Sequence, residues 1–459
     1  MITRESIRSV LQSEVGRETV VFGWVRTARA SRNVAFAAIN DGSCAENLQV
    51  VFDRERFSDD RLSGLLTGAC VRAAGAVVQS PGQGQVMELH ASTLEIVGSV
   101  DDAYPLQKKR HSLEFLRSMT HLRPRTNTFA NVFRMRHHLC LAIHRFFDEE
   151  GFFYIQPPLI TSSDAEGAGE TFQVTSMPLT AVPMSEGRVD FSHDFFRAPA
   201  FLSVSAQLEA EPLALALGKV YTFGPTFRAD PSDTRTHAAE FWMIEPEMAF
   251  FDLEDNMNLI ERFMKYCARY VAERCAHEVE FFQTHYEPRL GERYRTIVEN
   301  EFGRITYKEA LKSLSEAGAN LETVPVWGDD FTSEHQRHLA GNVFGRPVFV
   351  TDFPACIKPF YMRVNDDGET VAGVDLFAPV VGELVGGSQR EERLEHLERR
   401  ARQAGMNLET YRWYLELRRW GTAPHSGFGL GFDRLLMYLT GMENIRDVIP
   451  YPRAFGKMY

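Results

Sequence analysis

Five short β-rich runs crowded into residues 19–98 place the tightest limit on what this chain can fold into. TVVFGWVRTAR, VAFAAINDGS, NLQVVFD, CVRAAGAVV and VMELHASTLEIVG are separated by turn signals that include glycine. Five strands in about 80 residues form a small closed barrel, and an OB-fold fits them best. A segment with Asp101, Asp102 and Pro105, followed by the basic run KKR at 108–110, marks the end of that unit. At 459 residues the chain is too long for one core. The expected division is a barrel domain at 1–100, a linker at 101–128 and a larger domain at 129–459.

The larger domain reads as α+β. Residues 129–150 have helical periodicity, with Phe133, Leu139, Ala142, Ile143 and Phe146 on one side. Gly151 ends that helix, and FFYIQPPLI follows as an extended strand that two prolines terminate. A helix is expected near QLEAEPLALAL, and a charged helical insertion at about 255–320. VFVTDFP, FYMRVN and TVAGVDLFAPVVGELVGG read as antiparallel strands, joined by turns such as NDDG at 365–368. Helices at 389–404 and 408–420 precede a last strand and helix. Strands that pair through local hairpins and are flanked by helices give an antiparallel sheet.

Bulk properties exclude several classes. No apolar run approaches the roughly 20 residues that span a bilayer, so no membrane association is expected. The first residues, MITRESIRSVLQSEVG, lack an apolar signal core, and a cytoplasmic location is expected. Six cysteines occur without a CxxC pair, against a zinc ribbon or a disulfide frame. The net charge of −12 is unusual for a nucleic-acid binder. Locally, residues 101–145 carry nine Lys/Arg against three Asp/Glu. That stripe suits an RNA backbone or a solvated helix face equally well.

Three segments carry chemistry. FRADPSDTRTHAAEFWMIEPE spans 227–247, and GFGLGFDR 427–434; between them lies VDLFAPVVGELVGGSQRE at 374–391. Arginine's planar fork matches phosphate oxygens two at a time, so Arg228 and Arg434 suit a polyphosphate. Alone, either would be read as a surface ion pair. His237 and Phe241 are four residues apart and, on a strand, would share a face. An aromatic ring there can stack on a purine; without its neighbours Phe241 would be plain core. GFGLG is a weak match to a dinucleotide-binding loop, since no βαβ unit begins there. Its glycines more naturally let a bent nucleotide approach the backbone. Asp375 and Glu383 offer hard oxygen ligands for Mg²⁺, or else are buried acids paired to arginine.

These segments together resemble motifs 2 and 3 of class II aminoacyl-tRNA synthetases, of the asparaginyl type. RHSLEFLR, HLRPRTNTF, SSDAEGAGETF, KVYTFGPTFR, GGSQREERL, RRWGT, PHSGFGLGF and NIRDVIPYPR extend the likeness along nearly the whole chain. WMIEPE and PHSGFGLGF separate the asparaginyl type from the aspartyl and lysyl types. The resemblance implies ATP and Mg²⁺ as cofactors, L-asparagine and tRNA(Asn) as substrates, and a homodimer formed through the helix and strand at 129–158. His137 and His138 on that helix read as packing or interface groups.

The resemblance also implies roles for single residues. Arg228 meets the α-phosphate, His237 and Arg434 the γ-phosphate, and Phe241 lies under adenine, with Asp230 in the same nucleotide site. It assigns Mg²⁺ to Glu383 ahead of Asp375. Glu166 and Gln207 hold the α-amino group. An amide has donors and an acceptor, whereas a carboxylate only accepts. A site for asparagine therefore wants one acceptor and one donor, and Glu245 and Arg390 can serve. Glu245 also repels aspartate. On the barrel, Phe36 is placed to stack on an anticodon base and Gln49 to hydrogen-bond a uridine; a core Phe and a surface Gln are the plain alternatives.

Departures from the family pattern are Asp230 for Glu, Thr236 for Arg, Ala206 for Gly beside the amino-acid pocket, EHQR for EHER at 334–337, and AFGKMY at 454–459. Those in the loop before Phe241 motivate an alternative: a paralogue that forms an adenylate but transfers it to a non-tRNA acceptor. A non-catalytic RNA-binding protein is a second alternative, opposed by retention of Arg228, His237, Phe241, Glu383 and Arg434.

Overall fold

The computed structural model describes residues 4–82, 85–162, 171–318 and 321–458. The chain divides into two compact units, residues 1–131 and 132–459.

In the first unit β1 (Glu18–Ala30), β2 (Val34–Asn40), β3 (Leu48–Asp53), β4 (Cys70–Gln79) and β5 (Met87–Gly98) close a barrel in the order β1-β2-β3-β5-β4. All pairs are antiparallel except β3 with β5. Alternation decides which side chains fill it: Ala35, Ala37, Ile39, Leu48, Val50 and Phe52 are buried. Phe36, Ala38, Gln49 and Val51 take the other face. The five strands read from the sequence are the five observed.

The helix Asn127–Glu149, which lies in the second unit from Val132 onward, buries Val132, Met135, Leu139, Ala142, Ile143, Phe146 and Phe147. Phe133, expected on the buried side, is only half-buried. Phe147 stacks on Tyr221 at 4.4 Å between ring centroids, which fixes the helix against the sheet. The extended run expected after Gly151 shortens to β6 (Phe153–Tyr154); prolines 157 and 158 lie outside any strand.

The sheet then takes β7 (Lys219–Phe227), β8 (Glu240–Ala249), β9 (Gly303–Thr306), β10 (Val348–Pro354), β11 (Thr370–Ala378), β12 (Gly382–Gln389) and β13 (His425–Gly431). Their spatial order is β9-β10-β11-β12-β13-β8-β7-β6. The six central strands are antiparallel, while β9–β10 and β7–β6 at the edges are parallel.

Two details differ from the sequence reading. The stretch at 255–320 contributes helices Leu253–Arg274, Ala276–His285, Leu290–Glu299 and Tyr307–Ala317, but also β9, so it is not wholly helical. FYMRVN forms no strand but two isolated bridges, Met362 to Arg390 and Val364 to Val371. Among the described residues no helix is long and apolar enough to cross a membrane.

Candidate active site

β8 sets the frame of the site. Phe241, Met243, Glu245 and Glu247 are two residues apart, so their side chains leave the same face of the sheet. All four line a pair of adjoining cavities above β11, β12, β13 and β8. The cavities share Arg228, Met243, Glu383, Gly386 and Gly429.

The first cavity gathers Arg228, Asp230, Thr236, His237, Phe241, Glu383 and Arg434. Arg228 follows the last residue of β7, and its N–H donates to the Ala239 carbonyl at 3.0 Å, closing the base of the loop 228–239. Its guanidinium lies 5.6 Å from the Phe241 ring centroid. Arg434 is in the first turn of the helix Phe432–Thr440 and reaches the Glu383 carbonyl at 3.4 Å. Asp433 fastens that turn, accepting from the Trp242 N–H at 3.0 Å and from Arg136 at 2.5 Å. His237 does not share a strand face with Phe241: β8 begins at Glu240, and His237 reaches the cavity from the loop. Desolvation, then the Arg434 guanidinium, hold its imidazole below the usual value, while Asp230 opposes them.

The second cavity gathers Gln207, Glu245, Asp375, Glu383 and Arg390 with Ser205, Glu247, Asp330, Lys358 and Tyr361. Arg390 is clamped, its Nε and Nη2 donating to Glu247 at 3.1 and 2.5 Å and its Nη1 to Ser388 at 2.8 Å. Burial pushes the Glu247 carboxyl up to about 7, against the pull of Arg390. Gly427 explains how Glu247 fits: a Cβ there would stand 2.2 Å from its carboxylate. At this position glycine admits a neighbouring side chain rather than a ligand.

Behind the clamp, Glu211 accepts from Arg418 at 2.6 Å, Tyr414 at 2.8 Å, His425 at 3.0 Å and the Gln207 amide at 3.1 Å. Burial alone would raise its carboxyl; Arg418 and His425 reverse this and hold it well below the usual range. Gln207 thus spends its amide nitrogen inward. Glu245 accepts from the Ser205 hydroxyl at 2.5 Å and the Ala206 N–H at 3.0 Å. Ala206 has φ −92°, which any L-residue adopts, and lines the neighbouring cleft with Pro157 and Pro158 rather than this cavity. The extra methyl therefore does not crowd it.

Asp375 is bonded to Lys358 at 2.6 Å. Burial raises its carboxyl to about 6 even so, Lys358 opposing and Glu383 adding to the rise. A Cβ on Gly386 would stand 3.5 Å from a Glu383 oxygen and 3.6 Å from one of Asp375, so the two carboxylates converge on one spot. Among the described residues no hydrogen bond or ion pair engages the Glu383 carboxylate. Among the described residues no group of three or more His, Cys, Asp or Glu forms a metal cluster by itself.

Glu166 lies outside the described residues. Phe36 and Gln49 sit on the barrel, on its outward face. Arg29 lies 4.8 Å from the Phe36 ring centroid, and the Gln49 amide donates to Glu88 at 3.0 Å. Phe36 is thus not a barrel-core residue.

The family model for class II tRNA synthetases (D, K and N) matches residues 112–454, and that for the OB-fold nucleic acid binding domain matches 19–97. The asparagine–tRNA ligase of Geobacter sulfurreducens is 53% identical over 455 residues, 99% of each chain. The chain belongs to the asparagine–tRNA ligase family. A further member, from Acetivibrio thermocellus, is 52% identical over 442 residues, 96% of this chain and 95% of the other. Among solved structures, asparaginyl-tRNA synthetase from Pyrococcus horikoshii complexed with asparaginyl-adenylate is 30% identical over 100% of both chains, with a TM-score of 0.88.

Sequence reasoning missed Glu247, Lys358 and Ser205. Glu247 had a signal: it stands two residues from Glu245 in EPE, hence on the same strand face. Lys358 follows a half-turn of irregular backbone, where no periodicity marks it. Removing Glu247 leaves a buried guanidinium without its carboxylate, which costs about 3–5 kcal/mol. Glu247→Ala should therefore lower the thermal midpoint sharply and Glu247→Gln less so; an unmoved midpoint in Glu247→Ala contradicts the clamp.

Proposed function

We propose that this protein ligates L-asparagine to tRNA(Asn) in two steps at the joined cavities, with ATP in the first and asparagine in the second. The observation that carries this is the shared wall: Arg228 belongs to both cavities, where an α-phosphate and an amino-acid carboxylate must meet. An asparagine carboxylate oxygen attacks the α-phosphorus, the bond to the pyrophosphate oxygen breaks, and asparaginyl-adenylate forms. The terminal ribose hydroxyl of tRNA then attacks the activated carbonyl, and AMP leaves. Arg228 stabilises charge on the α-phosphate by position, with no covalent intermediate on the protein.

Phe241 lies under adenine, and His237, Arg434 and Asp230 complete the nucleotide site. His237 hydrogen-bonds phosphate while the arginines supply charge. Mg²⁺ fits the donor set: Glu383 presents an unengaged carboxylate, and Asp375 converges on the same spot with Lys358 attached. When bound, the ion supplies neutralisation of phosphate charge.

In the amino-acid cavity Arg390 has spent three of its five N–H donors on Glu247 and Ser388, leaving two for the amide oxygen of asparagine. Glu245, held by the Ser205 hydroxyl and the Ala206 N–H, accepts from the amide NH₂. Aspartate would set a carboxylate against Glu245. Gln207, its nitrogen committed to Glu211, offers its oxygen to the α-ammonium group; Glu166 joins it. On the barrel Phe36 stacks on an anticodon base and the Gln49 oxygen meets a uridine. A homodimer forms through the 129–158 segment, where Phe153 and Tyr154 are exposed at the edge of the sheet. No observation favours a non-tRNA acceptor.

Arg228→Ala and Arg434→Ala should each lower asparagine-dependent ATP–pyrophosphate exchange about 10- to 150-fold, from loss of a charge-assisted contact. Near-normal exchange in both variants contradicts the placement of ATP. Phe36→Ala should lower tRNA charging, since stacking on a base contributes about 1–3 kcal/mol, and leave exchange without tRNA unchanged. Equal loss in both assays would reduce Phe36 to a folding role.

A further inference from the structure

The loop 228–239 carries seven of the nucleotide-cavity residues, among them Arg228, Asp230, Ser232, Thr236 and His237. Inside the loop, Thr234 bonds to Thr236 and His237. What holds its outer part comes from more than 200 residues away. Asp233 accepts from Arg446 at 3.0 Å and from Lys457 at 2.7 Å. Arg446 is itself anchored, its Nε donating to Asn444 at 3.0 Å. Two backbone bonds flank this pair: Ile445 N–H to the Arg235 carbonyl and Ala239 N–H to the Arg453 carbonyl, both 2.8 Å. Lys457 leads the causes that hold the Asp233 carboxyl below its usual range.

Lys457 lies on a two-strand hairpin, Arg453–Ala454 paired with Lys457–Met458, whose turn is Phe455 and Gly456. Gly456 takes φ +67°, so the turn can be tight. That turn puts Phe455, which is 54% exposed, into the lining of the nucleotide cavity together with His237, Phe241 and Arg434. One short segment thus both grips the loop and supplies part of the cavity wall. An aromatic side chain half in water at the edge of a site gains more contact when a ligand arrives than it has beforehand.

We propose that the hairpin Arg453–Met458 is a working part of the nucleotide site: Phe455 is a rim contact for ATP, and Lys457 is a positioning residue that acts through Asp233 on the loop. It rests on the reading of this cavity as the ATP site. Of the two adjoining cavities the hairpin lines the nucleotide cavity and not the amino-acid cavity, so it acts on ATP and not on asparagine.

The test is asparagine-dependent pyrophosphate exchange by the full chain, with ATP and asparagine varied in turn. Phe455→Ala should raise half-saturation by ATP about three- to tenfold. Lys457→Ala should raise it by up to about fivefold, the range of an exposed ion pair, while Lys457→Arg, which keeps the charge, restores it. Half-saturation by asparagine should stay within about twofold in all three. ATP half-saturation unmoved in both alanine variants overturns the proposal. So does a parallel rise for ATP and asparagine, which signals general distortion, or a failure of Lys457→Arg to restore ATP use. Absence of exchange in the unaltered protein would instead overturn the proposed function.

Discussion

The buried pair of Arg390 with Glu247 is the constraint around which the amino-acid cavity is arranged. A guanidinium only 3% exposed is tolerable because a carboxylate, itself fully enclosed, meets two of its donors. Glu247 in turn fits only because residue 427 has no side chain. The same strand that carries Glu247 carries Glu245, Met243 and Phe241 toward the two cavities, so fixing Glu247 against Arg390 fixes the register of the whole face. Behind it, Glu211 ties Gln207 to Arg418, His425 and Tyr414, and so links the helix Gln207–Leu217 to β13 and to the helix Arg412–Arg419. Such a network is costly unless every partner is in place. Here it gives a cavity whose polar groups are aimed before any ligand arrives.

Strand order does the rest. Residues 228–247 and 427–434 are about 200 positions apart in the chain, but β8 pairs directly with β13, and β13 with β12. Arg228, at the end of the β7–β8 hairpin, and Arg434, at the start of the helix after β13, therefore reach one cavity. Glu383, at the start of β12, stands between the two cavities. Antiparallel neighbours bring the functional ends of distant segments to the same edge without a long crossover.

Much of this was legible in the sequence, for identifiable reasons. The barrel strands were readable because each is a short β-rich run bounded by turn residues. Arg228, Phe241, Glu383 and Arg434 were readable as a set because they lie in the segments that carry the resemblance to class II synthetases. What escaped lies where local pattern is silent. Lys358 sits in irregular backbone, and only the fold shows its partner to be Asp375. His237 was expected on a strand face, because alternation was carried back past Glu240 into a loop. Gly427 was read as making room for nucleotide, whereas it makes room for Glu247; a glycine records that space is needed, not who occupies it. β9 was hidden inside a helical stretch because four residues are too few for a periodic signal.

The most direct test of the account is a crystal structure with a non-hydrolysable analogue of asparaginyl-adenylate. The account predicts the side-chain amide oxygen on Arg390, its nitrogen on Glu245, the phosphate on Arg228 and the adenine against Phe241. An amide seated away from Arg390, or an aminoacyl end outside the cavity that Arg390 and Glu247 form, would contradict it.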